Sequence, residues 1–229
     1  MHQSTVIAQP LKTPRAAGVA GIVFCLLSIS SQLLIRVAIP VYGQGSAVEV
    51  VKNSQTISRS LNLVPFAGIA FLWFVAVLRD HLGEFEDRFF ATVFLGSGLL
   101  YIAMFFASAA LAGGLLGVLS SGTENSVHSG TYAVSRAEIN QLLNTYGIKM
   151  AGVFMISFST IALRTRIMPR PLAFLGWALA LLLLLIIGTI AWAPLVFPLW
   201  VFLLSVWILI AKFRRPSDAD QNATFVRDR

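Results

Sequence analysis

The chain has 229 residues, of which 57% are hydrophobic and only 12% are charged, with a mean hydropathy of +0.79. Since a soluble domain carries about 25% charged residues, this composition excludes an ordinary water-soluble domain and indicates a membrane protein. The net charge of +7 would favour nucleic-acid binding in a soluble protein. Here the basic residues flank apolar segments, where they set orientation and meet anionic headgroups. We therefore expect the lipid bilayer, and no nucleic acid, as a partner.

The chain begins with a polar lead-in, 1–14, followed by a single predicted membrane domain over 15–211. The first apolar segment, 16–40, is too long for the hydrophobic region of a signal peptide and lacks a small-residue cleavage site. We therefore expect this segment to be retained as the first membrane span.

The first span carries polar residues on one face, because Ser28, Gln32 and Arg36 recur at every fourth position. Such a face is expected to look into the protein rather than into lipid. Arg36 lies near the end of the span, so two interpretations stay open. The residue either reaches the interface and joins a structural ion pair, or it contacts a ligand or ion.

The second span, with the apolar run 61–78, is predicted to belong to one long helix over 46–79. Ser46 and Glu49 match a capping box at its start, and apolar residues follow at helical spacing. Such a helix would be about 50 Å long, well beyond a hydrocarbon core of about 30 Å, so it should begin outside the membrane. Pro65 lies inside the helix and predicts a kink or a break.

A short charged turn joins the second and third spans. It contains Arg79, Asp80, His81, Glu84, Glu86, Asp87 and Arg88. We favour a solvated hairpin in which the arginines pair with the acids. The alternatives are a metal cluster at this turn and a docking surface for a protein partner. We expect no metal site.

The stretch from Arg79 to Gly98 contains this turn and the start of the third span, including Phe89 and Phe90. It resembles a segment of small, uncharacterised multi-pass membrane proteins of bacteria. The resemblance covers about 20 of the 229 residues. It implies no known activity, so no functional residue is carried over.

The third span, 89–119, contains Ala109, Gly113 and Gly117, and this repetition of small residues predicts a close helix–helix contact. A polar Ser/Gly-rich loop, 120–134, follows. Ser135 and Glu138 then form a second capping box, which leads into the fourth span at 148–163. Two interpretations of the two capping boxes stay open. Either spans one and two are repeated as spans three and four, or the short motif occurs twice by coincidence.

A basic loop, 164–170, precedes the fifth span at 171–191 and the sixth at 195–211, and a polar tail at 212–229 is predicted to be disordered. The expected fold is an all-α bundle of six membrane helices with short extracytoplasmic helical extensions. Twelve of the 17 basic residues would lie on the side of both termini, which the positive-inside rule places in the cytoplasm, at the plasma membrane. The other five are Arg36, Lys52, Arg59, Arg136 and Lys149.

The predicted spans contain none of the acidic residues and none of the histidines. This pattern argues against proton-coupled carriers, against a haem held by histidines and against an intramembrane serine protease, which needs a base. We expect a non-enzymatic accessory, scaffold or assembly partner with no cofactor, which binds a protein partner or a second copy. The alternative is a small-solute or ion transporter or channel that adds Ser157 and Thr160 of the fourth span to the polar face of the first. A membrane enzyme acting on a lipid is the third hypothesis.

Overall fold

The computed structural model describes residues 13–38, 47–82, 88–120, 130–166, 168–185, 190 and 192–213. Within these residues all regular secondary structure is helical. The helices are α1 (Thr13–Ala38), α2 (Ala47–Lys52), α3 (Ser54–Leu82), α4 (Arg88–Ser120), α5 (Thr131–Gln141), α6 (Ile148–Thr165), α7 (Arg170–Leu185) and α8 (Val196–Phe213). A π-helical turn, Leu142–Gly147, joins α5 to α6, and a 3-10 turn, Ala193–Leu195, precedes α8. The all-α prediction is confirmed.

Among the described residues, five helical segments are long and apolar enough to cross a membrane: Ala16–Arg36, Ser54–Arg79, Phe89–Ser120, Tyr132–Thr165 and Ala193–Ala211. The predicted fifth span is represented by α7, which has 16 residues and is therefore about 24 Å long. A hydrocarbon core is about 30 Å thick. The prediction of six spans is thus inexact, because the described residues contain five long apolar helices and one shorter apolar helix.

Helices α1 and α3 pack antiparallel. Phe24 of α1 contacts Phe71 of α3, with ring centroids 4.8 Å apart, whereas Ser31 further along α1 bonds to the earlier residue Ser60. The same inverse order holds for α6 and α7, where Gly152 contacts Leu184. The start of α1 meets the end of α8, since a methyl group at Gly18 would lie 2.6 Å from Leu209 Cγ. We call this the terminal end of the bundle.

We call the opposite end of the bundle the distal end, and define it by Arg36, Asn144 and Trp192. The Arg36 guanidinium donates to Asn144 and lies 5.5 Å from the Trp192 ring centroid. Here α2 and α5 extend the bundle, and a separate apolar cluster joins them to α3 and α4. It contains Val50, Ile57, Ala112, Leu115, Leu119 and Ile139. The predicted helical extensions therefore exist, and they have a small core of their own.

The centre of the bundle is filled with aromatic rings from five helices. Phe71 of α3 is fully buried, and it touches rings of α1, α4, α6 and α8. The ring centroids are 4.8 Å away for Phe24, 5.8 Å for Tyr101, 5.5 Å for Phe154 and 5.7 Å for Phe197. Tilted and edge-to-face pairs at such distances are favourable, so these rings hold the helices together.

The break predicted as one alternative at Pro65 does not occur, and the helix is interrupted at Asn53 instead. Pro65 lies inside the continuous α3, whereas α2 ends at Lys52 and α3 begins at Ser54. The Ile57 amide donates to the Asn53 carbonyl, 3.1 Å away, across this break. The prediction of one helix over 46–79 is therefore wrong. Membrane helices tolerate proline because neighbouring groups compensate the freed backbone carbonyl.

The second capping box does not begin a helix. Helix α5 starts at Thr131 after Gly130, which makes no side-chain capping bond, so Ser135 and Glu138 lie inside the helix. The predicted start was wrong because the two residues match the motif but do not lie at a helix start. Only the first backbone amides of a helix lack an intrahelical acceptor and need a cap. Ser46 and the side chain of Glu49 lie outside the described residues. The internal repeat was inferred from two capping boxes, and since the second does not cap a helix, the repeat stays a hypothesis. Residues 1–12 and the tail beyond Phe213 also lie outside.

Candidate functional site

The polar face of α1 points into the bundle. Ser28 is 0% exposed and Gln32 is 1% exposed, and Gln32 Nε2 donates to Ser28 Oγ over 2.9 Å. The Tyr101 hydroxyl of α4 lies next to Ser28, although it makes no hydrogen bond of good geometry within the described part of the chain. Every-fourth spacing puts these polar atoms on the side that lipid does not reach.

Arg36 continues this face at the distal end and joins α1 to the π turn. Its Nη2 donates to Asn144 Oδ1 over 3.2 Å, and Asn144 Nδ2 donates to Asn140 Oδ1 over 2.8 Å. The guanidinium also lies near the Trp192 ring, at a distance typical of a cation–π interaction. Arg36 is half-buried, so its charge is held between an amide and an indole.

The π turn makes the Arg36–Asn144 contact possible. An i→i+5 turn inserts an extra residue and rotates the following side chains relative to an α-helix. Asn144 lies in this turn and is buried. A methyl group at Gly147 would lie 3.1 Å from the Leu142 carbonyl oxygen, so a small residue suits the turn. Asn144 was not among the predicted site residues, and the signal that could have indicated it is the pair Asn140 and Asn144, one helical turn apart in a membrane segment.

A small cavity adjoins this polar cluster. Its polar lining consists of Gln32, Arg36, Arg136, Asn140 and Asn144, and its volume is about 20 Å³. A cavity of this size accommodates one water molecule, and it is too small for an organic substrate. Gln32 Oε1 has no hydrogen-bond partner among the described residues, so the cavity lies beside an acceptor that a water molecule would satisfy.

The predicted partners of the α1 face, Ser157 and Thr160, are bonded elsewhere. Ser157 Oγ donates to the Val153 carbonyl and Thr160 Oγ1 to the Ile156 carbonyl, each over 2.8 Å. Thr160 Oγ1 also accepts a bond from Trp177 Nε1 of α7 over 3.2 Å. Among the described residues, no hydrogen bond connects these hydroxyls to the α1 face, so the structure does not bring the two sets together.

The small residues of α4 have different surroundings. Ala109 is buried, and a methyl group at Gly113 would lie 3.3 Å from Leu61 Cδ1, whereas Gly117 has nothing within 4 Å of that position. The tightest helix contacts involve glycines that the sequence analysis did not select. They are Gly21 against Phe74 and Ser205, Gly68 against Phe106, and Gly176 against Ser159 and Trp200.

The end of α3 and the start of α4, which flank the charged turn, lie at the terminal end. Arg79 is exposed near the end of α3, and Arg88 begins α4. The side chains of Asp80, His81 and Arg88, and all of Glu84, Glu86 and Asp87, lie outside the described residues. The docking interpretation of this turn therefore stays a prediction. Within the described part of the chain, no group of three potential metal ligands occurs.

Lys149 makes a contact that its sequence position did not reveal. Its Nζ donates to the Leu184 carbonyl and lies 3.5 Å from the Leu183 carbonyl oxygen, at the C-terminal end of α7. A lysine at this position neutralises the negative end of the helix dipole. The distal end thus contains a second polar contact between helices, separate from the Arg36–Asn144 pair.

Comparison with protein-family models found no match, and comparisons with curated proteins and with solved structures found no similar chain. The structure is that of an integral membrane protein. Some of its buried polar groups, such as Ser31 and Ser60, bond across helices, whereas Ser97 and Ser108 bond to carbonyl groups of their own helix.

Proposed function

We propose that this chain is a non-enzymatic accessory, scaffold or assembly partner of a membrane complex, with both termini in the cytoplasm. The observation that carries the proposal is that several intramembrane polar groups form hydrogen bonds between helices. Ser31 and Ser60 bind each other's backbone carbonyls, Arg36 binds Asn144, and Thr160 binds Trp177. Hydrogen bonds of this kind hold membrane helices together.

The aromatic core supports a closed bundle. Proceeding from the distal end, the polar face of α1 ends at Ser28 and Tyr101. One turn further, Phe24 packs against Phe71 and Phe197, with ring centroids 4.8 and 6.1 Å apart. Hydration of this tightly packed apolar layer would be unfavourable. In this conformation these rings lie between the polar face of α1 and the terminal end.

The lipid-facing side of α3 supports an intramembrane contact surface. Phe66 and Trp73 are 62% and 64% exposed, and Ile69 between them is 53% exposed. Their spacing places them on one helix face. Trp73 precedes Arg79 by about 9 Å of helix, which is deeper than the interfacial zone where tryptophan usually lies. A protein partner that covers this face would bury the indole.

The proposal predicts a stoichiometric complex that depends on the charged turn. We expect the tagged chain, solubilised from native membranes, to co-purify with one partner at fixed stoichiometry. Conversion of the turn carboxylates to amides (Asp80→Asn, Glu84→Gln, Glu86→Gln, Asp87→Asn) should reduce recovery of that partner at least tenfold, because the docking charges are removed. Native mass spectrometry measures the stoichiometry.

The matched control for this experiment is Glu138→Gln, which neutralises an exposed acid on α5 near the distal end. We expect this variant to retain the partner. Equal loss in both variants, or recovery of the unmodified chain alone, would count against a docking role for the turn.

A transporter or channel for a small solute or ion, without intramembrane carboxylates, is the second candidate. The observation that favours it is irregular backbone beside polar groups at the distal end, where the π turn and the short α7 occur. Transporter sites commonly use such interruptions. In this hypothesis Ser28, Gln32 and Arg36 would contact the solute and the bundle would open to include Ser157 and Thr160.

Solute flux distinguishes the two candidates. We expect proteoliposomes with the purified chain to show no faster osmotic shrinkage in glycerol, urea or potassium chloride than protein-free vesicles, because the aromatic core closes the bundle. Stopped-flow light scattering measures the rate. Faster flux that is abolished by Arg36→Ala, and retained in the exposed-residue control Arg59→Ala, would favour the transporter instead.

A further inference from the structure

Helix α7 ends inside the apolar layer. Its first residue, Arg170, follows the basic loop and so lies near the membrane surface at the terminal end. Its 16 residues span about 24 Å, which is about 6 Å less than the hydrocarbon core. The final carbonyl groups of a helix lack intrahelical donors. Those of α7 therefore lie where water is scarce, and among the described residues Lys149 reaches two of them.

The end of α7 is also electrically negative. The aligned peptide dipoles leave about half a negative charge at a helix C-terminus. In membrane transporters, the carbonyl groups at such interrupted helix ends coordinate sodium ions. A monovalent cation is thus the chemical group that this kind of helix end selects.

Lys149 brings a cation to this position. Its Nζ is within hydrogen-bonding distance of the Leu183 and Leu184 carbonyl oxygens. Lys149 precedes Thr165, the last residue of α6, by 16 positions, so it lies about 24 Å from the terminal end. This depth equals that of the end of α7.

Close packing of α6 against α7 allows Lys149 to reach the end of α7. Gly152, one turn after Lys149, allows α6 to approach α7 closely. A methyl group at Gly152 would lie 3.2 Å from the Ala180 carbonyl oxygen and 3.0 Å from Leu184 Cγ. This approach brings the base of the Lys149 side chain within reach of the carbonyl groups.

We propose that the C-terminal end of α7 is a monovalent-cation site that the chain occupies with its own Lys149 ammonium. The tethered ammonium takes the place that a sodium ion or a small organic ammonium ion would otherwise fill. The wild-type protein should therefore need no dissolved monovalent cation at this position. Removal of the lysine side chain should expose a carbonyl-lined site that binds such a cation from solution.

The experiment is cation rescue of Lys149→Ala. The purified protein is unfolded thermally in detergent micelles, in chloride salts of sodium, potassium, methylammonium or N-methylglucamine at equal ionic strength. We expect Lys149→Ala to melt below wild type in N-methylglucamine. Saturating sodium or methylammonium should raise its Tm by roughly 5–10 °C, as expected for a ligand at about 100 times its Kd. Wild type should show no dependence on the cation.

Two controls separate the site from general salt effects. Lys149→Met fills the space with an uncharged chain of similar length, and Lys52→Ala removes an exposed lysine elsewhere, so neither should respond to the cation. Cation-independent melting of Lys149→Ala, or equal rescue of Lys149→Met, would overturn the proposal.

Should Lys149→Ala fail to fold, recovery of folded protein from membranes replaces the melting test. Lys149→Arg retains a cation at the helix end and should be recovered near the wild-type level. Lys149→Met should be recovered at a several-fold lower level. Equal recovery of the arginine and methionine variants would contradict a cation site.

Discussion

Replacement of Phe71 with alanine is expected to lower the free energy of unfolding by about 3 kcal/mol, at the low end of the range for Phe→Ala in protein cores. Phe71 is fully buried and contacts rings on four other helices. Its removal would forfeit dispersion contacts and leave a cavity that neighbouring rings cannot fill. The low end applies because lipid, unlike water, solvates apolar surface well, so packing carries most of the stability. Denaturation with sodium dodecyl sulfate in mixed micelles measures the change.

The matched control is Phe66→Ala, five residues earlier on the same helix. Phe66 is 62% exposed, so the same atoms are removed from the lipid-facing side. We expect a change within about 0.5 kcal/mol, as for most surface substitutions. Equal destabilisation by both substitutions would mean that the rings of α3 do not hold the bundle together. A large effect of Phe66→Ala alone would indicate that a partner covers it.

Replacement of Gly21 with alanine is expected to destabilise the bundle by about 2 kcal/mol, within the range for overpacking. The new methyl group would lie 2.9 Å from Phe74 Cδ2 and closer still to the Ser205 hydroxyl. Phe74 is fully buried and cannot rotate away. The added atom therefore has to push α1 away from α3 and α8. The same denaturation experiment measures the loss, and an unchanged midpoint would show that α1 does not approach these helices closely.

Gly117→Ala is the control for this prediction. No described atom lies within 4 Å of the added methyl group, and alanine favours a helix over glycine by about 1 kcal/mol. We expect unchanged or slightly higher stability. A marked loss would instead indicate that Gly117 packs against a second copy or a partner, which would return this residue to the packing role that its spacing predicts.

The two ends of the bundle have different chemistry. At the terminal end Arg79 is exposed, and Arg164 lies 4.7 Å from the Phe90 ring centroid. The distal end has uncharged amides around Arg36 and backbone carbonyl groups around Lys149. This separation is consistent with the proposed role, in which a partner docks at the terminal end and cross-helix bonds hold the distal end together.

Local pattern was a good guide where the property belongs to a single helix. The separation of four residues between Ser28 and Gln32 correctly predicted a face that avoids lipid, because residues four apart lie on the same side of a helix. The length and hydropathy of the apolar runs predicted the long helices, because a helix needs about 20 apolar residues to cross the hydrocarbon core. Motif matching was less reliable, since Ser135 and Glu138 match a capping box but lie inside α5.

The sequence by itself determined that this chain is an all-α membrane protein with a polar stripe on its first helix. Only the tertiary structure decided which groups satisfy that stripe. Arg36 bonds to Asn144, which is 108 positions away along the chain, and Lys149 meets the end of a helix that begins after it. The glycines at close contacts also differ from those with the conspicuous spacing. Residue spacing specifies a face of one helix, but long-range packing sets how helices rotate and slide against one another.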